Sequence, residues 1–307
     1  MKCFVTGGCG YFGAYLIPHL LGEGHEITCF DSHLFGRGHL STDNGMLTVV
    51  KDDLTNYTAV AKHIAGAEAV IHLAGITSDK ACQLHTGLAR QANVDVFPPL
   101  VQAAQDAGVR RFIFPSSVAA YGSGIDLKEH APLMPTTAYG KAKAECEDIL
   151  RKSDLDWTIL RPGTITGHSP RMRFDLTLNM MTLCAIQTGK INVAGGDQMR
   201  SFVSMRDMVA LMKMLLTRKS SGQTFNVASW NAPVRAAAEL VKSCIDTPVT
   251  IEVGPRTDDR SYSVSCDKLS AWGFKPAHSL RDAIGEMQAR SDYWPDGLTN
   301  PVFMNQL

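Results

Sequence analysis

The stretch VTGGCGYFGAYL, residues 5–16, decides the fold of this 307-residue chain. It follows the apolar run KCFVT at 2–6, which is typical of a buried strand, and it leads into a helical pattern. Four glycines, Gly7, Gly8, Gly10 and Gly13, together satisfy both the GxGxxG and the TGxxGxxG spacing. Glycines at this spacing permit a tight turn and let backbone N–H groups approach a pyrophosphate at the helix N-terminus. The stretch therefore predicts a strand, loop and helix that bind a dinucleotide.

An acidic residue ends the second apolar run, EITCFD at 26–31. Asp31 lies 18 residues after Gly13, where a carboxylate can accept a hydrogen bond from the 2'-hydroxyl of a ribose. Because a carboxylate there repels a 2'-phosphate, we expect NAD rather than NADP, although Arg37 lies close enough in sequence to pair with a phosphate. Asp53 follows the third apolar run, where it can meet the adenine or cap a helix.

Short apolar runs alternate with helical patterns through the first half of the chain. This alternation predicts an α/β protein with a doubly wound parallel sheet. After about residue 165 the alternation breaks, which indicates a smaller, partly interleaved lobe. We expect a Rossmann domain at 1–166, with returning segments near 200–230, and a substrate-binding lobe at 167–307. The predicted strands are 2–6, 26–31, 47–50, 69–75, 111–117 and 157–162, and the predicted helices are 12–22, 56–65, 80–107, 138–152, 205–217 and 233–245.

Composition excludes several partners. The chain has 30 Lys plus Arg and 30 Asp plus Glu, so no basic excess favours nucleic acid or an anionic membrane. Its eight cysteines form no CxxC pair, so neither a zinc site nor a disulfide framework is predicted, and we expect no metal. The N-terminus resembles no secretory signal and no stretch has the length of a membrane span, so we expect a cytoplasmic protein.

A tyrosine and a lysine lie four positions apart in TTAYGKAKAE, residues 136–145. On a helix, Tyr139 and Lys143 share one face, so the ammonium can stabilise the phenolate and turn the tyrosine into a base. A solvated helix with a Tyr packed on a Lys stem has the same pattern. Ser117 follows the fifth predicted strand, and ligands of doubly wound sheets bind at such strand ends. These three residues form the predicted catalytic set.

The motifs together resemble the extended short-chain dehydrogenase/reductases, and specifically the nucleotide-sugar epimerase/dehydratase family. The resemblance spans nearly the whole chain. It rests on TGGCGYFG (6–13), HLAG (72–75), NVDVFPPLVQAA (93–104), SSVAAYG (116–122), YGKAK (139–143), LRPGTITG (160–167), RSFVSMRDM (200–208), FNVAS (225–229) and WGFKP (272–276).

The resemblance implies a mechanism and a cofactor site. Tyr139 takes the proton of a sugar hydroxyl while hydride passes to the nicotinamide, and Ser117 bonds the same oxygen. Lys143 also bonds the nicotinamide ribose. The NAD-binding residues implied are Gly7, Gly10, Tyr11, Phe12, Gly13, Asp31, Asp53, Leu54, Leu73, Ala74, Gly75, Asn93, Tyr139, Lys143 and Pro162.

By the same resemblance the substrate is a nucleotide-diphosphate sugar. Arg200 and Arg256 match arginines that hold the diphosphate, Asn179 matches an amide that contacts it, and Asp259 matches an acid near the nucleotide ribose. Each arginine also fits a surface salt bridge. Thr164 stands where the family has an asparagine, so contacts to the sugar or diphosphate are expected to differ there.

A second departure bears on the reaction. Dehydratases of the family carry an Asp-Glu pair, and decarboxylases a Glu, just after the catalytic Ser or Thr, but here Val118 to Ala120 fill those positions. Hydride chemistry without elimination remains. We expect epimerisation through a transient 4-keto sugar with NAD retained. The alternatives are a 4-dehydrogenase or 4-ketoreductase using NAD(P), and a dinucleotide-sensing protein without catalysis. The resemblance also implies a homodimer through the helices near 93–107 and 138–152.

Overall fold

The computed structural model describes residues 1–37, 40–41, 45–256 and 258–306. Helices and strands alternate through its first half, and shorter strands join them in its second half. The strands are β1 (Lys2–Thr6), β2 (Glu26–Asp31), β3 (Leu47–Lys51), β4 (Ala69–His72), β5 (Arg111–Pro115), β6 (Gly124–Leu127), β7 (Trp157–Pro162), β8 (Thr164–Thr166), β9 (Lys190–Ala194), β10 (Met199–Ser204), β11 (Gln223–Val227), β12 (Trp230–Pro233), β13 (Thr250–Gly254) and β14 (Tyr262–Val264). The helices are α1 (Tyr11–Gly22), α2 (Tyr57–Ile64), α3 (Asp79–Leu84), α4 (Thr86–Arg90), α5 (Phe97–Asp106), α6 (Ala138–Arg151), α7 (Thr177–Thr188), α8 (Met205–Thr217), α9 (Val234–Lys242), α10 (Asp267–Trp272) and α11 (Leu280–Gln288).

A seven-stranded sheet forms the centre, in the order β11-β7-β5-β4-β1-β2-β3. Every neighbouring pair in it is parallel. The six predicted strands all lie in this sheet, so the doubly wound α/β fold is confirmed. The seventh strand, β11, comes from the second half of the chain and pairs with β7.

Hydrophobic clusters cover both faces of the sheet. Consecutive side chains of a strand point to opposite faces, and Phe4 and Val5 of β1 accordingly lie in different clusters. One cluster includes residues of α1 and α8, and the other includes residues of α2, α5 and α6. Because both faces are buried, the strands are nearly continuous apolar runs rather than alternating ones.

The prediction of one helix over 80–107 is wrong. This segment contains α3, α4, a π-helical turn at Gln91–Asp95 and α5. Pro98 and Pro99 lack N–H groups, so they cannot donate hydrogen bonds to the turn that precedes α5. In that turn the Val96 N–H donates to the carbonyl of Gln91, five residues earlier, which is the π-helical pattern. The predicted helices over 12–22, 56–65, 138–152, 205–217 and 233–245 are confirmed as α1, α2, α6, α8 and α9.

Among the described residues, three small sheets have the orders β12-β10-β8, β13-β9 and β14-β6, and all of their strands except β6 come from the second half of the chain. The strand β14 pairs with β6 across more than a hundred residues, which ties the two halves together. None of the helices in the described ranges is long and apolar enough to cross a membrane.

Candidate active site

A cavity of about 1090 Å³ lies along the carboxyl edge of the central sheet. The segments after β1, β2, β4, β5 and β7 form one wall, and residues of the second half form the other. Because the carboxyl ends of parallel strands lie at the same edge of a sheet, the strand order alone brings these segments close together.

The glycine loop leaves space at one end of this cavity. Gly7 has φ +68°, and a Cβ there would lie 2.4 Å from the Ala74 backbone nitrogen. A Cβ on Gly13 would lie 2.5 Å from the carbonyl oxygen of Gly8. The glycines therefore let this loop pack closely against the segment after β4 and against its own backbone. Gly10, which directly precedes α1, lines the cavity, where a pyrophosphate can meet the helix N-terminus.

Asp31 is bound to the same loop. The Cys9 N–H donates to its Oδ2 at 2.9 Å, and the His33 N–H donates to its Oδ1 at 2.7 Å. Burial raises the pKa of this carboxyl, and the two backbone donors oppose that shift. The carboxylate lines the cavity next to the loop.

Of the residues implied for the cofactor, all but Asn93 line this cavity. The lining set includes Gly7, Gly10, Tyr11, Phe12, Gly13, Asp31, Asp53, Leu54, Leu73, Ala74, Gly75, Tyr139, Lys143 and Pro162. Asn93 lies behind the wall, where its amide accepts from the Ile76 N–H at 2.7 Å and donates to the Ile76 carbonyl at 2.9 Å. The structure thus places Asn93 as a support for the segment after β4. The Asp53 carboxylate accepts from the Thr55 N–H at 2.9 Å, while Asn56 caps α2.

Ser117, Tyr139 and Lys143 line the middle of the cavity. Ser117 follows β5, and Tyr139, whose pKa the Ser117 side chain lowers, lies in the first turn of α6. Lys143 is one turn further along α6 and 8 % exposed. Its Nζ donates to the Pro115 carbonyl at 2.9 Å and lies 5.8 Å from the centre of the Tyr139 ring. Two separate parts of the sequence, the end of β5 and the first turns of α6, thus meet in this cavity.

Burial dominates the acidity of these groups. It raises the pKa of the Tyr139 phenol, against the opposing influence of Arg173 and of the Ser117 hydrogen bond. It lowers the pKa of Lys143 to about 8. In both side chains, burial disfavours the charged form, which is the phenolate of Tyr139 and the ammonium of Lys143. A positive charge brought by a ligand near Tyr139 would favour the phenolate.

A buried ion cluster supports the segment that carries Ser117. The Glu147 carboxylate, at 0 % side-chain exposure, pairs with Arg161 at 2.6 Å and Arg151 at 2.7 Å. It also accepts a hydrogen bond from the Ser116 hydroxyl at 2.5 Å. Burial by itself would raise the pKa of Glu147, but hydrogen bonding to Arg161 holds that pKa below its ordinary value. The cluster fixes α6 against the end of β5, on which the relative positions of Tyr139 and Ser117 depend.

The structure separates the residues implied for the substrate. Thr164 and Arg200 line the cavity. Arg256, Asp259 and Asn179 are not among the described residues that line it. Arg256 donates to the carbonyl oxygens of Asp258 at 2.8 Å and Asp259 at 2.5 Å, so it folds back on its own loop. Asp259 has a fully exposed side chain.

Asn179 is fully buried and serves the interior of the protein. Its Nδ2 donates to the Tyr11 hydroxyl and to the Arg173 carbonyl, both at 3.0 Å. Its Oδ1 accepts from the Gly167 N–H at 3.3 Å. All of its amide groups are therefore engaged by the protein, and its contacts position Tyr11 rather than face the cavity.

Arg260, which the sequence analysis missed, lies where Arg256 was expected. It lines the cavity and pairs with Asp258 at 2.7 Å and with Asp79 at 2.6 Å. Arg200 pairs with the same Asp258 at 2.8 Å. Two arginines thus share one carboxylate at the far end of the cavity, and Asp79 joins them to the first half of the chain.

Two further arginines on the cavity wall were missed as well. Arg171 stacks on Phe35 and donates to the Asn305 side chain at 2.9 Å. Arg173 pairs with Asp175 and donates to the Thr77 hydroxyl at 2.6 Å. The sequence signal was available, because three charges in the run RMRFD follow shortly after the strand β8.

The fold and this site define a dinucleotide-dependent enzyme of the Rossmann class. The chain belongs to the NAD dependent epimerase/dehydratase family, whose model matches residues 3–228. A UDP-glucose 4-epimerase of Lactobacillus helveticus is 27% identical over 321 residues, which cover 92% of this chain and 94% of that protein. A 3-beta-hydroxysteroid dehydrogenase of Mycolicibacterium neoaurum is 33% identical over 189 residues, 56% of this chain and 50% of that protein.

Solved structures agree on the fold. The dTDP-glucose 4,6-dehydratase of Streptomyces venezuelae, with NAD bound, superposes with a TM-score of 0.87 at 20% identity, covering 98% of this chain and 100% of that one. The UDP-glucose 4-epimerase of Thermus thermophilus, also with NAD, gives 0.82 at 22% identity and covers 95% and 99%.

The cofactor of this family, NAD, fits the residues present. The open glycine loop suits a pyrophosphate, Asp31 suits a ribose hydroxyl, and the Lys143 ammonium, which donates to Pro115, has further N–H groups to offer a ribose. When bound, NAD accepts a hydride from a carbon and can return it.

Proposed function

We propose that the protein epimerises a nucleotide-diphosphate sugar through a transient 4-keto intermediate while NAD stays bound. The observation that carries this proposal is that Ser117, Tyr139 and Lys143 line one cavity together with the glycine loop and with Arg200 and Arg260. A base next to a hydride acceptor can oxidise a carbinol, and paired arginines suit a diphosphate.

Each residue of the site has a separate role in the proposed reaction. The Tyr139 oxygen takes the proton of the sugar hydroxyl, and the Ser117 hydroxyl holds that oxygen in place. Lys143 binds the nicotinamide ribose, for which its ammonium has to leave or share the Pro115 carbonyl. Arg200 and Arg260 bind the diphosphate in place of their present carboxylate partner, Asp258.

The segment after Ser117 supports epimerisation over elimination. Val118 is 2 % and Ala120 0 % exposed, and both belong to a short 3-10 turn that Ser117 caps. Neither side chain can protonate a leaving hydroxyl, so the keto sugar can only take the hydride back or leave. We propose that residues 1–166 hold the cofactor and residues 167–307 the substrate.

The test is to incubate purified protein with UDP-, GDP-, CDP- and dTDP-linked sugars and to follow inversion at C4 by NMR. The Tyr139→Phe variant, checked for equal NAD content, is the matched control, and we expect it to lose most activity because it has no proton acceptor. Absence of turnover with every sugar, in protein that contains NAD, contradicts the proposal. Stoichiometric release of NADH would instead assign a one-way dehydrogenase.

We also propose a homodimer formed through the helices near 93–107 and 138–152, in the cytoplasm. Ala103 of α5 and Ile149 of α6 pack against the core but are only partly buried, and their remaining apolar exposure supports this surface. The free state of all eight cysteines supports a reducing compartment. Light scattering of the wild type and an Ile149→Glu variant tests the dimer. We expect twice the monomer mass for the first and the monomer mass for the second.

A further inference from the structure

A second cation occupies the catalytic part of the cavity. Arg173 lies between β8 and α7, and its side chain is 11 % exposed. Its Nη1 donates to the Thr77 hydroxyl at 2.6 Å, and its Nε and Nη2 donate to the Asp175 carboxylate at 3.0 Å and 2.5 Å. A guanidinium held by three hydrogen bonds has one orientation, so its charge acts from a fixed position.

The backbone around this arginine is fixed too. The Asn179 amide donates to the Arg173 carbonyl and to the Tyr11 hydroxyl, which joins this segment to α1. Thr77 directly follows Ile76, whose cluster packs against the Tyr139 ring. Arg173 and Tyr139 therefore approach the same part of the cavity, and both line it.

The groups near Tyr139 have opposite effects on the pKa of its phenol. Lys143 lies on its own helix, but its ammonium donates to the Pro115 carbonyl. Burial has the largest effect on the phenol and raises its pKa. Arg173 lowers that pKa, and it does so more than Ser117 does. Asp79 and Cys82 of α3 raise the pKa. The segment after β8 thus supplies a cation whose charge favours the Tyr139 phenolate.

We propose that Arg173 is a positioning residue that stabilises the negative charge on the Tyr139 oxygen, and that Asp175 limits this effect by pairing with the guanidinium. The inference rests on the proposed function and deepens it. In the reaction the hydroxyl proton of the sugar passes to the Tyr139 oxygen. Arg173 exchanges no proton, and only the energy of the phenolate changes.

The experiment measures the ionisation of this one residue without turnover. 3,5-Difluorotyrosine, whose phenol is more acidic than that of tyrosine, is incorporated at position 139 of the NAD-loaded full chain, and ¹⁹F NMR is recorded against pH. Arg173→Gln removes the cation, so we expect the midpoint to rise by about one pH unit. Arg173→Lys retains the charge and should titrate near the parent. Asp175→Asn frees the guanidinium from its counter-charge and should lower the midpoint.

A matched control separates electrostatics from general destabilisation. Arg111 also joins distant segments, donating to the carbonyl oxygens of Leu215 and Arg218, but it begins β5 at the edge of the sheet opposite the cavity. We expect Arg111→Gln to affect stability and to leave the midpoint unchanged.

An unchanged midpoint in folded Arg173→Gln protein overturns the inference, as does an unchanged or raised midpoint in Asp175→Asn. If the glutamine variant does not fold, the lysine and asparagine variants decide, with an unshifted and a lowered midpoint expected. Because the titration needs no sugar, a protein without epimerase activity can still show these shifts, so the two proposals fail separately.

Discussion

Replacing Lys143 by Met should stabilise the protein while it removes activity. Burial lowers the pKa of Lys143 from its ordinary 10.5 to about 8. At about 1.4 kcal/mol per pH unit, holding this charge in the folded state near neutral pH costs about 3 kcal/mol of unfolding free energy. Methionine has a similar length and no charge to desolvate, so the variant should gain about that amount.

The gain should depend on pH with a definite sign. Below about pH 8 the amine is protonated in both states, and the full cost applies. Between about pH 8 and the ordinary value of 10.5 the unfolded chain binds the proton and the folded chain does not, so wild-type stability rises with pH. The advantage of the methionine variant should therefore be largest near neutral pH and should shrink towards pH 10.5.

Urea unfolding of the NAD-free proteins, followed by circular dichroism across this pH range, measures the effect. Lys152→Met is the control, because this lysine directly follows α6 but its side chain is 73 % exposed. Its free energy of unfolding should stay within about 0.5 kcal/mol of the wild-type value. The reasoning is refuted if Lys143→Met is no more stable than the wild type near neutral pH, or if its advantage does not change with pH.

Three further variants test the site. Arg260→Gln should weaken UDP binding about tenfold in calorimetry because the arginine lines the cavity. The control variant, Arg256→Gln, should bind UDP like the wild type. If only Arg256→Gln weakens binding, the sequence-based expectation that Arg256 holds the diphosphate is correct. Glu147→Gln should lose about 3 kcal/mol in urea unfolding by leaving Arg161, 2 % exposed, without its charge partner, and a loss below about 1 kcal/mol would contradict a tightly coupled buried pair. Gly13→Ala should lower NAD affinity at least about tenfold in a fluorescence titration, because its Cβ would lie 2.5 Å from the loop backbone; unchanged affinity would mean that the loop yields.

Local signals predicted the parts of the fold that depend on neighbouring residues. The glycine spacing in 5–16, the apolar runs of β1 to β5 and β7, and the four-residue interval between Tyr139 and Lys143 are all contained within one or two elements. The break in the helix over 80–107 also had a local signal, the pair Pro98 and Pro99. The short strands β6 and β14 had none, since each is stabilised by a partner far away in the chain.

The sequence by itself thus determined the Rossmann class, and it predicted the dinucleotide loop and the catalytic roles of Ser117, Tyr139 and Lys143. Only the tertiary structure decided which charged groups act on them. Arg256 and Arg260 lie in one loop without periodicity, so the sequence could not tell that only the second lines the cavity. Arg173 and Tyr139 come from different segments of the chain and line the same cavity. Burial sets the acidity of Lys143, and burial and charge spacing arise only when distant segments pack together.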